Sequence, residues 1–366
     1  MSSKPISIGL VGLSAKGSWA SRSHFPYLLK SPHYKITALQ NSSIASAKAA
    51  AEKYHLEDIS AHDSITSLAA DPNVSLIAIS VKVPEHAALI EPALRARKDV
   101  FVEWPLAANL AEAEHLTKLA KEMGVRTMVG LQARHSPPIL KAKQMIQAGK
   151  LGRILGTTMN ATGMIFGPTV HEGFLYALPI EHGANLVTIP AGHAVDALCF
   201  VLGEFESLQA VLANQRPVLE LVNEEGKMVR EVEKTSHDYM AVVGKLQNGG
   251  VASVVYQGGM SKTEKNFYWE INGTEGDLVM EGPVGHVQMY QPSLKFVRKE
   301  EGAVLDVVEV EQADGFNFNV GKAWDAFAGV GNAEGGVTTF EDALVRHKMI
   351  EAIYKSDREG TRERYI

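Results

Sequence analysis

The sequence predicts two domains: a doubly wound α/β domain built on a parallel sheet, followed by an α+β domain with a large, mostly antiparallel, open sheet. A length of 366 residues is comfortable for two domains. In the first third, short apolar runs alternate with helical stretches, which is typical of βαβ units. After Gly130 strands dominate, separated by turn signals. We therefore expect one domain over residues 1–132 and a second over 133–366, whose last helix, about 339–355, is a candidate to pack back on the first domain.

In the first domain, stretches with the pattern of buried strands alternate with stretches that have helical spacing. Runs rich in β-branched residues predict buried parallel strands, at residues 6–11, 34–39, 59–61, 76–81, 100–102 and 127–129. Stretches with helical spacing lie between them, at 45–54, 65–70, 86–97 and 110–123. Asn109 is expected to cap the last of these helices, and Asp63 or Ser64 the short one.

The second half is expected to begin with a helix and to end with two. Ser136 followed by two prolines indicates a helix start, because proline is tolerated in the first turn, and this helix should run to about residue 148. Strands dominate over residues 208–310. Turn signals in this region lie at residues 248–250 and 273–276. The two closing helices are expected at residues 321–327 and 339–355.

Composition and charge exclude several classes of function. Hydrophobic residues make up 45% and charged residues 21%, as in an ordinary globular protein, and the formal net charge is −6. We therefore expect neither nucleic acid nor a membrane surface as partner, and no apolar run reaches the roughly 18 residues of a membrane span. The single cysteine, Cys199, excludes an intramolecular disulfide and a cysteine-based metal cluster. With polar residues and then a strand directly after Met1, we expect a cytoplasmic protein without a metal site.

The strongest single feature is a loop directly after the first predicted strand. A pyrophosphate needs backbone N–H groups at a helix N-terminus and glycine where the chain passes close to it. Gly12 suits the tight turn and Gly17 precedes the next helix, although the loop is longer than the usual G-x-G-x-x-G by a residue or two. Because the loop opens a complete βαβ series, we predict a Rossmann domain that binds NAD or NADP through Gly12, Ser14, Lys16, Gly17 and Trp19.

The choice between NAD and NADP depends on the end of the second strand. A carboxylate there would bind the ribose hydroxyls of NAD and repel the extra phosphate of NADP. This strand is followed by Asn41, Ser42 and Ser43, without an acid, and Lys48 stands about one helical turn further on. These side chains favour NADP, with NAD as the alternative. A simpler interpretation stays open, in which residues 41–43 only cap a helix.

An ordered set of short motifs covers almost the whole chain. After the glycine loop come Ser80-Val-Lys-Val-Pro-Glu-His86, Phe101-Val-Glu103-Trp104-Pro105, Gly192-His193-Ala-Val-Asp196 and Gly273-Thr-Glu-Gly276. This order resembles the Gfo/Idh/MocA superfamily of glucose–fructose oxidoreductase and inositol dehydrogenase. Within it, the first loop, the Phe-Val-Glu-Trp segment and Leu-Val-Thr before Gly-His are most similar to the branch of the fungal galactose-regulon repressor. The resemblance implies a small-molecule substrate and a homodimer formed through the open sheet.

The sequence departs from the family's pattern at the catalytic positions. Typical enzymes of the superfamily carry Glu-Lys-Pro, and Trp104 stands here in place of the lysine. An indole cannot act as a cationic donor or a proton carrier. The usual aspartate four residues before the histidine is Ile189. His193 therefore remains as the acid/base candidate, with Asp196 on the same helical face to orient its imidazole, unless this histidine only caps a buried helix.

Further candidates come from the loops at the strand ends. Lys82 is either a substitute acid near the nicotinamide ribose or a solvated surface lysine. Trp104 either stacks in the pocket or fills the core. Arg134 either faces the cleft or forms an interdomain salt bridge. The other residues expected near the cofactor are Val81, His86, Glu103 and Gln132, of which Glu103 is expected to shape its loop rather than react.

Three more histidines are of interest. His24 is expected at the surface of the first helix. His171 and His182 flank a segment, residues 173–178, that is expected to be a loop near the substrate cleft. Their spacing with His193 matches no established metal-ligand pattern.

The leading hypothesis is an NAD(P)-dependent oxidoreductase that transfers hydride between the nicotinamide and a polyol, sugar-like or other alcohol or carbonyl substrate, with His193 as acid/base. The missing lysine and aspartate motivate two alternatives. In one, the protein keeps the nucleotide site but acts as a regulatory protein without catalysis, and then has a protein partner. In the other, it uses a bound cofactor for non-redox or redox-neutral chemistry, for which Trp104 and Ile189 would suit an apolar substrate.

Overall fold

The computed structural model describes residues 4–331 and 334–366 and divides the chain into two units. The first unit contains residues up to 132 together with 314–344, and the second contains 133–313 together with 345–366. The N-terminal segment of the first unit thus ends at the expected boundary residue. Residues 314–344, which the sequence analysis assigned to the second domain, are part of the first unit.

The helices follow the order that the sequence predicts. They are α1 (Trp19–Arg22), α2 (Phe25–Leu28), α3 (Ile44–Lys53), α4 (Ile65–Ala70), α5 (His86–Arg95), α6 (Leu110–Met123), α7 (Pro137–Gln147), α8 (Pro190–Leu202), α9 (Asn317–Ala328) and α10 (Phe340–Glu359). The Asn109 side chain accepts a hydrogen bond from the Glu112 N–H, and the Ser64 side chain one from the Ser67 N–H, so both predicted caps are confirmed. Helix α5 ends two residues before the predicted end, because Arg97 adopts the left-handed backbone conformation with φ 56°.

The first unit is built on a six-stranded sheet, and all of its strands are parallel. The strands are β1 (Ile6–Val11), β2 (Tyr34–Gln40), β3 (Ser60–His62), β4 (Leu76–Ile79), β5 (Asp99–Glu103) and β6 (Thr127–Gly130). Their spatial order is β3-β2-β1-β4-β5-β6, which confirms the predicted doubly wound fold. The order reverses between β1 and β4, and ligands of such sheets bind at the carboxyl ends of the strands near this reversal.

Helix α9 completes the core of the first unit. Trp324 on this helix is fully buried, and its ring centroid lies 4.4 Å from that of Phe101 on β5. The Tyr34 hydroxyl on β2 donates a hydrogen bond of 2.7 Å to the Trp324 carbonyl oxygen. A segment nearly 200 residues away from β6 in the chain therefore packs against the sheet, which periodicity within the first third could not reveal.

The second unit contains a large and a small sheet. Its strands are β7 (Ile154–Gly163), β8 (Thr169–His171), β9 (Phe205–Ala213), β10 (Val218–Val222), β11 (Met228–Glu233), β12 (Tyr239–Leu246), β13 (Val251–Gly258), β14 (Phe267–Gly273), β15 (Gly276–Gly282), β16 (Ser293–Arg298) and β17 (Asp306–Val307). The large sheet has the order β17-β16-β15-β14-β7-β13-β12-β9, and its pairs are antiparallel except β7 with β13. The small sheet has the order β11-β10-β8. The predicted mostly antiparallel sheet is therefore confirmed.

Two further expectations have structural outcomes. Residues 173–178 were expected to form a loop, but a 3-10 helix spans Glu172–Ala177. Among the described residues, no helix combines the length and the apolar composition that a membrane crossing requires.

Candidate functional site

The loop after β1 is held against the ends of two neighbouring strands. The Gly12 N–H donates to the Gln40 carbonyl oxygen at 3.2 Å, and the Ser80 N–H donates to the Val11 carbonyl oxygen at 3.1 Å. Gly12 has φ 93°, and a Cβ at this position would lie 2.2 Å from the Ser80 carbonyl oxygen. Only glycine fits here, because both the backbone conformation and the available space exclude a side chain.

The rest of this loop is a turn followed by a very short helix. The Gly17 N–H donates to the Ser14 carbonyl oxygen at 3.0 Å, and the Lys16 N–H to the Ser14 hydroxyl at 3.1 Å. The Ser18 side chain caps α1, which is only four residues long. Trp19 is half-buried, with its ring 5.8 Å from that of Phe316. The loop therefore offers an anion the N–H groups of one helical turn and not the dipole of a long helix.

The segment after β2 is a helix-capping turn. The Ser43 hydroxyl accepts from the Ser46 N–H at 3.1 Å, and the Asn41 amide donates to the Leu13 carbonyl oxygen at 2.9 Å. The capping interpretation therefore describes Ser43, while Asn41 connects this turn to the loop after β1. Ser42 and Lys48 are exposed, so their side chains can reach a ligand.

His86 joins the loop after β4 to the loop after β5. Its ring is fully buried, with Nδ1 2.8 Å from the Pro105 carbonyl oxygen and Nε2 3.3 Å from the Val81 carbonyl oxygen. Burial lowers the pKa of His86, so the ring is neutral and carries a single N–H. Lys82 lies exposed in the same loop, and Trp104 is 4% exposed.

Three polar side-chain atoms at the carboxyl edge of the sheet are buried without a hydrogen-bond partner among the described residues. They are Gln40 Oε1 at the end of β2, Ser80 Oγ after β4 and Gln132 Oε1 after β6. A buried polar atom without a partner costs free energy, so its presence needs an explanation. The ribose hydroxyls and carboxamide of a dinucleotide are groups that could satisfy such atoms, so the residues present fit this cofactor.

The expectation that His24 lies at the surface is wrong. The residue is 1% exposed, because α1 ends at Arg22 and the chain turns towards the core. His24 Nε2 lies 2.5 Å from Glu103 Oε1, and the Trp324 indole N–H donates to His24 Nδ1 at 3.1 Å. Glu103, which ends β5, is thus tied to a buried histidine.

In the second unit, helix α8 places His193 close to another buried histidine. His193 is 3% exposed and His286, shortly after β15, is 4% exposed. Burial and then the charge of His193 lower the pKa of His286 to about 4. His286 Nε2 accepts a hydrogen bond of 3.2 Å from the Met164 N–H, so its lone pair is already used. His193 is therefore the member of this pair that is better suited to gain a proton.

Asp196 lies in a buried network of charges. Arg134 binds both carboxylate oxygens, with Nε 2.9 Å from Oδ2 and Nη2 2.8 Å from Oδ1, and Arg346 Nε lies 3.3 Å from Oδ1. Arg346 also binds Glu204, which accepts a hydrogen bond from the Tyr365 hydroxyl at 2.6 Å. Burial raises the pKa of Asp196, but the charges of Arg134 and Arg346 outweigh it and hold this pKa below its usual range.

This network involves two residues that the sequence analysis singled out. Arg134 lies in the second unit, and its guanidinium forms a salt bridge with Asp196 of the same unit. Asp196, expected to orient His193, binds arginine through both of its oxygens. Its negative charge still interacts with His193.

The two remaining histidine candidates are His171 and His182. His171 is exposed at the end of β8 and lines a cavity of about 260 Å³ together with Met164, Phe174 and Met260. His182 Nδ1 lies 2.8 Å from the Tyr176 carbonyl oxygen. In the described parts of the chain, no group of three or more His, Cys, Asp or Glu side chains is arranged to hold a metal ion.

His286 leads to a testable pH dependence of stability. The unfolded chain gains the proton near the ordinary pKa of 6.5, whereas the folded protein gains it only near 4. Between these values the unfolded state binds more protons, so the free energy of unfolding falls as the pH is lowered. We expect this residue to contribute a loss of about 2 kcal/mol between pH 7 and pH 5.

Urea unfolding at the two pH values measures this loss. His286→Gln should remove that part of the pH dependence, while His171→Gln, at an exposed histidine, should leave it unchanged. A His286→Gln protein with the same pH dependence as the wild type would show that the buried ring is not the cause.

Several of these residues were missed by the sequence analysis. His286, Gln40 and Trp324 belong to no motif with fixed spacing, and Ser80 begins the motif of residues 80–86 but was not expected to be a site residue. Each becomes notable only through its burial and neighbours. For Gln40 and Ser80 a signal existed, since both stand at predicted strand ends. None existed for His286 or Trp324.

Comparison with known proteins gives a family for both halves of the chain. Residues 6–131 match the family described as "Oxidoreductase family, NAD-binding Rossmann fold", and residues 137–282 match "Gal80p, C-terminal domain". The chain is 36% identical over 370 aligned residues to the protein named "Dehydrogenase aclE" from Aspergillus oryzae, covering 98% of each chain.

The chain is also similar, over almost its whole length, to a regulatory protein. The "Galactose/lactose metabolism regulatory protein GAL80" of Saccharomyces cerevisiae is 31% identical over 409 aligned residues, covering 98% of this chain and 94% of that protein. The crystal structure of a super-repressor mutant of Gal80p from the same organism superposes with a TM-score of 0.91 at 30% identity, covering 98% of this chain and 97% of that one.

Proposed function

Because the chain belongs to the Gfo/Idh/MocA oxidoreductase family, on the branch that includes the GAL80 regulatory proteins, we propose that it is an NAD(P)-dependent oxidoreductase. The substrate class is an alcohol or carbonyl compound, such as a polyol or a sugar-like molecule. The observation that carries the proposal is the carboxyl edge of the first unit, where Gln40, Ser80 and Gln132 have buried polar atoms that find no hydrogen-bond partner among the residues that the structure describes. The full-length similarity to a dehydrogenase supports the redox assignment.

The cofactor is proposed to lie on the loop after β1. Its phosphates would lie against the loop that contains Gly12, Ser14, Lys16, Gly17 and Trp19, at the start of α1. NADP is the proposed form, because no acid follows β2 and the exposed Ser42 and Lys48 can contact an additional phosphate. The partner groups of Gln40, Ser80 and Gln132 are proposed to be ribose hydroxyls and the carboxamide.

His193 is proposed as the acid/base. When bound, the nicotinamide supplies the site that accepts or donates the hydride. A neutral His193 imidazole takes the proton from the substrate hydroxyl during oxidation, and the imidazolium returns it during reduction. The negative charge of Asp196 stabilises the imidazolium, while His286 stays neutral because its lone pair is hydrogen-bonded. Lys82 is proposed as an additional anchor, taking up part of the role that Trp104 cannot perform.

A screen for turnover tests the function. The purified protein is incubated with NADP⁺ and a panel of polyols and sugars, and with NADPH and the matching carbonyl compounds, while absorbance of the reduced cofactor is followed. We expect at least one compound to give a rate that is proportional to protein and absent with the His193→Ala protein. Tight cofactor binding with no turnover across the panel, and no release of product, would instead support the regulatory candidate.

A regulatory protein is the second candidate, and Trp104 is the observation that favours it. An indole stands where the family's enzymes carry their catalytic lysine, and a relative that matches 98% of this chain is a regulatory protein. In this case the nucleotide site would control the binding of a protein partner. Capture of a stoichiometric partner from the source cells, altered by NADP⁺ or NADPH, would support this candidate.

A homodimer is proposed to form through the outer face of the large sheet. Val211, Ala241 and Val255 stand side by side across β9, β12 and β13, and Val211 is 65% exposed while Val243 is 51% exposed. Such a row of apolar side chains is usually covered by another surface. A cytoplasmic location is proposed as well, supported by the single, buried Cys199.

Introducing charge into this face should separate the protomers. We expect the protein with Val211→Lys and Val243→Lys to elute with the mass of one chain in light-scattering chromatography, because two lysines on each protomer would be buried against each other. Val218→Lys, at a valine of the small sheet that is 48% exposed, should leave the mass unchanged. A wild-type mass of one chain would contradict the dimer.

A further inference from the structure

A chain of three side chains leads from the core of the first unit to the carboxyl edge of its sheet. The indole N–H of Trp324 donates to His24 Nδ1 at 3.1 Å, and His24 Nε2 lies 2.5 Å from Glu103 Oε1. An indole nitrogen can only donate, so Nδ1 must be the accepting nitrogen of the imidazole. The ring proton is therefore on Nε2 and is donated to Glu103.

This arrangement fixes the orientation of the His24 ring. Each ring nitrogen has a partner, since Nδ1 accepts from the Trp324 indole and Nε2 donates to Glu103. The ring is also 1% exposed and packs edge-on against Phe101 and Trp324, with centroid distances of 5.0 and 5.9 Å. The hydrogen bond from Nε2 stabilises the Glu103 carboxylate and holds it in place.

The second carboxylate oxygen of Glu103, Oε2, lies beside Gly130. A Cβ on Gly130 would lie 2.9 Å from Glu103 Oε2 and 3.4 Å from Gln132 Oε1. Because Gly130 has no side chain, these two acceptor oxygens share the space at the ends of β5 and β6. Gln132 Oε1 has no hydrogen-bond partner among the described residues.

The Glu103 side chain is only 12% exposed, so its charge is poorly screened by water. It ends β5, which is paired with β4 beside the reversal of strand order. Glu103 also interacts with His86, whose pKa is lowered by burial. The edge at which dinucleotides bind thus carries a fixed negative charge.

We propose that the Trp324–His24–Glu103 chain makes the first unit discriminate between the two redox forms of its cofactor. The nicotinamide ring is cationic in NADP⁺ and neutral in NADPH, so a fixed carboxylate favours the oxidised form. Glu103 is the residue that determines this preference, and His24 is a positioning residue that acts through it. The inference rests on the cofactor site proposed above.

Calorimetric titration of the same protein with NADP⁺ and with NADPH measures the preference as the ratio of the two dissociation constants. In Glu103→Gln, which keeps the size of the side chain, we expect the ratio to change about tenfold in favour of NADPH, as expected for the loss of one poorly screened charge. Glu103→Asp, which keeps the charge, should preserve the direction of the wild-type preference. Glu57→Gln removes an exposed acid from the same unit, ahead of β3, and should leave the ratio unchanged.

Variants of His24 separate positioning from a general structural role. Gln can still donate to Glu103, so His24→Gln should keep the ratio near that of the wild type. Leu cannot, so His24→Leu should shift the ratio in the same direction as Glu103→Gln, because a poorly solvated carboxylate without its donor holds its charge less well. A merely structural role would weaken the binding of both cofactors equally and leave the ratio unchanged.

The outcomes distinguish this inference from the function on which it rests. If both cofactors bind and Glu103→Gln leaves their ratio unchanged, the inference is overturned while the cofactor site stands. If the wild-type protein binds neither cofactor, the proposed function fails first.

Discussion

Replacement of His193 by alanine is expected to lower turnover by about 10² to 10⁴-fold, the usual contribution of a positioned acid/base group. The substrate is whichever compound of the panel the wild-type protein converts. Affinity for NADP should stay nearly unchanged, because His193 belongs to the second unit and the proposed cofactor contacts belong to the first. Steady-state rates and a separate cofactor titration measure the two quantities.

The neighbours of His193 supply the controls for this experiment. His171→Ala removes an exposed histidine of the same unit and should cost far less turnover. His286→Gln should also be milder than His193→Ala, since His286 Nε2 already accepts the Met164 N–H. If the His193→Ala protein turned over at the wild-type rate, the proposed acid/base role would be excluded. Equal losses in the His193 and His171 variants would point to a general effect on the fold.

Replacement of Gly12 by alanine is expected to have the largest effect on stability and nucleotide binding. Its Cβ would lie 2.2 Å from the Ser80 carbonyl oxygen, and the φ of 93° is unfavourable for any residue with a side chain. The Ser80 backbone cannot move away without weakening its hydrogen bond to Val11. Strain and overpacking together should lower the free energy of unfolding by about 3 to 5 kcal/mol, and nucleotide binding should be lost.

Gly17 offers a matched control in the same loop. It has nearly the same φ, 92°, but a Cβ at this position would meet no atom within 4 Å. Gly17→Ala should therefore cost only the conformational part, about 1 to 2 kcal/mol. Urea unfolding of both variants measures the difference. If both variants lose the same free energy of unfolding, the contact with Ser80 contributes nothing, and the backbone conformation alone accounts for the loss.

The sequence predicts the parallel sheet well, because its signal is local. Strand β1 has the predicted bounds, and helices α4 and α6 begin and end at the predicted residues with the predicted caps. Strands such as β4 are short apolar runs, and each cap needs one side chain next to its helix. The end of α5 was placed two residues too far, since helical spacing carries no information about the left-handed conformation of Arg97.

The parts of the site that could not be predicted depend on contacts between distant segments. His24 is buried because Glu103 and Trp324, which are 79 and 300 residues away in the chain, surround its ring. Asp196 has the helical spacing to orient His193, and Arg134 and Arg346 also bind its oxygens from other elements. Spacing along one helix identifies which side chains of that helix can meet, and it does not reveal partners from other elements.

The residues after β2 show how far a local pattern can be interpreted. The absence of an acid, from which the NADP preference was inferred, is a property of the sequence alone. The sequence did not show that the polar residues after β2 have different roles. In the structure Ser43 caps α3, while Ser42 and Lys48 are exposed. The capping interpretation and the phosphate-binding hypothesis therefore apply to different residues of the same turn.

A titration of the purified protein with NADPH and with NADH examines the dinucleotide site itself. Energy transfer from the four tryptophans to the bound reduced nicotinamide reports binding. We predict dissociation constants in the micromolar range or below, with NADPH bound more tightly than NADH through Ser42 and Lys48. Failure to bind either nucleotide would contradict the proposed site and leave the buried polar atoms of Gln40, Ser80 and Gln132 without the cofactor groups proposed as their partners.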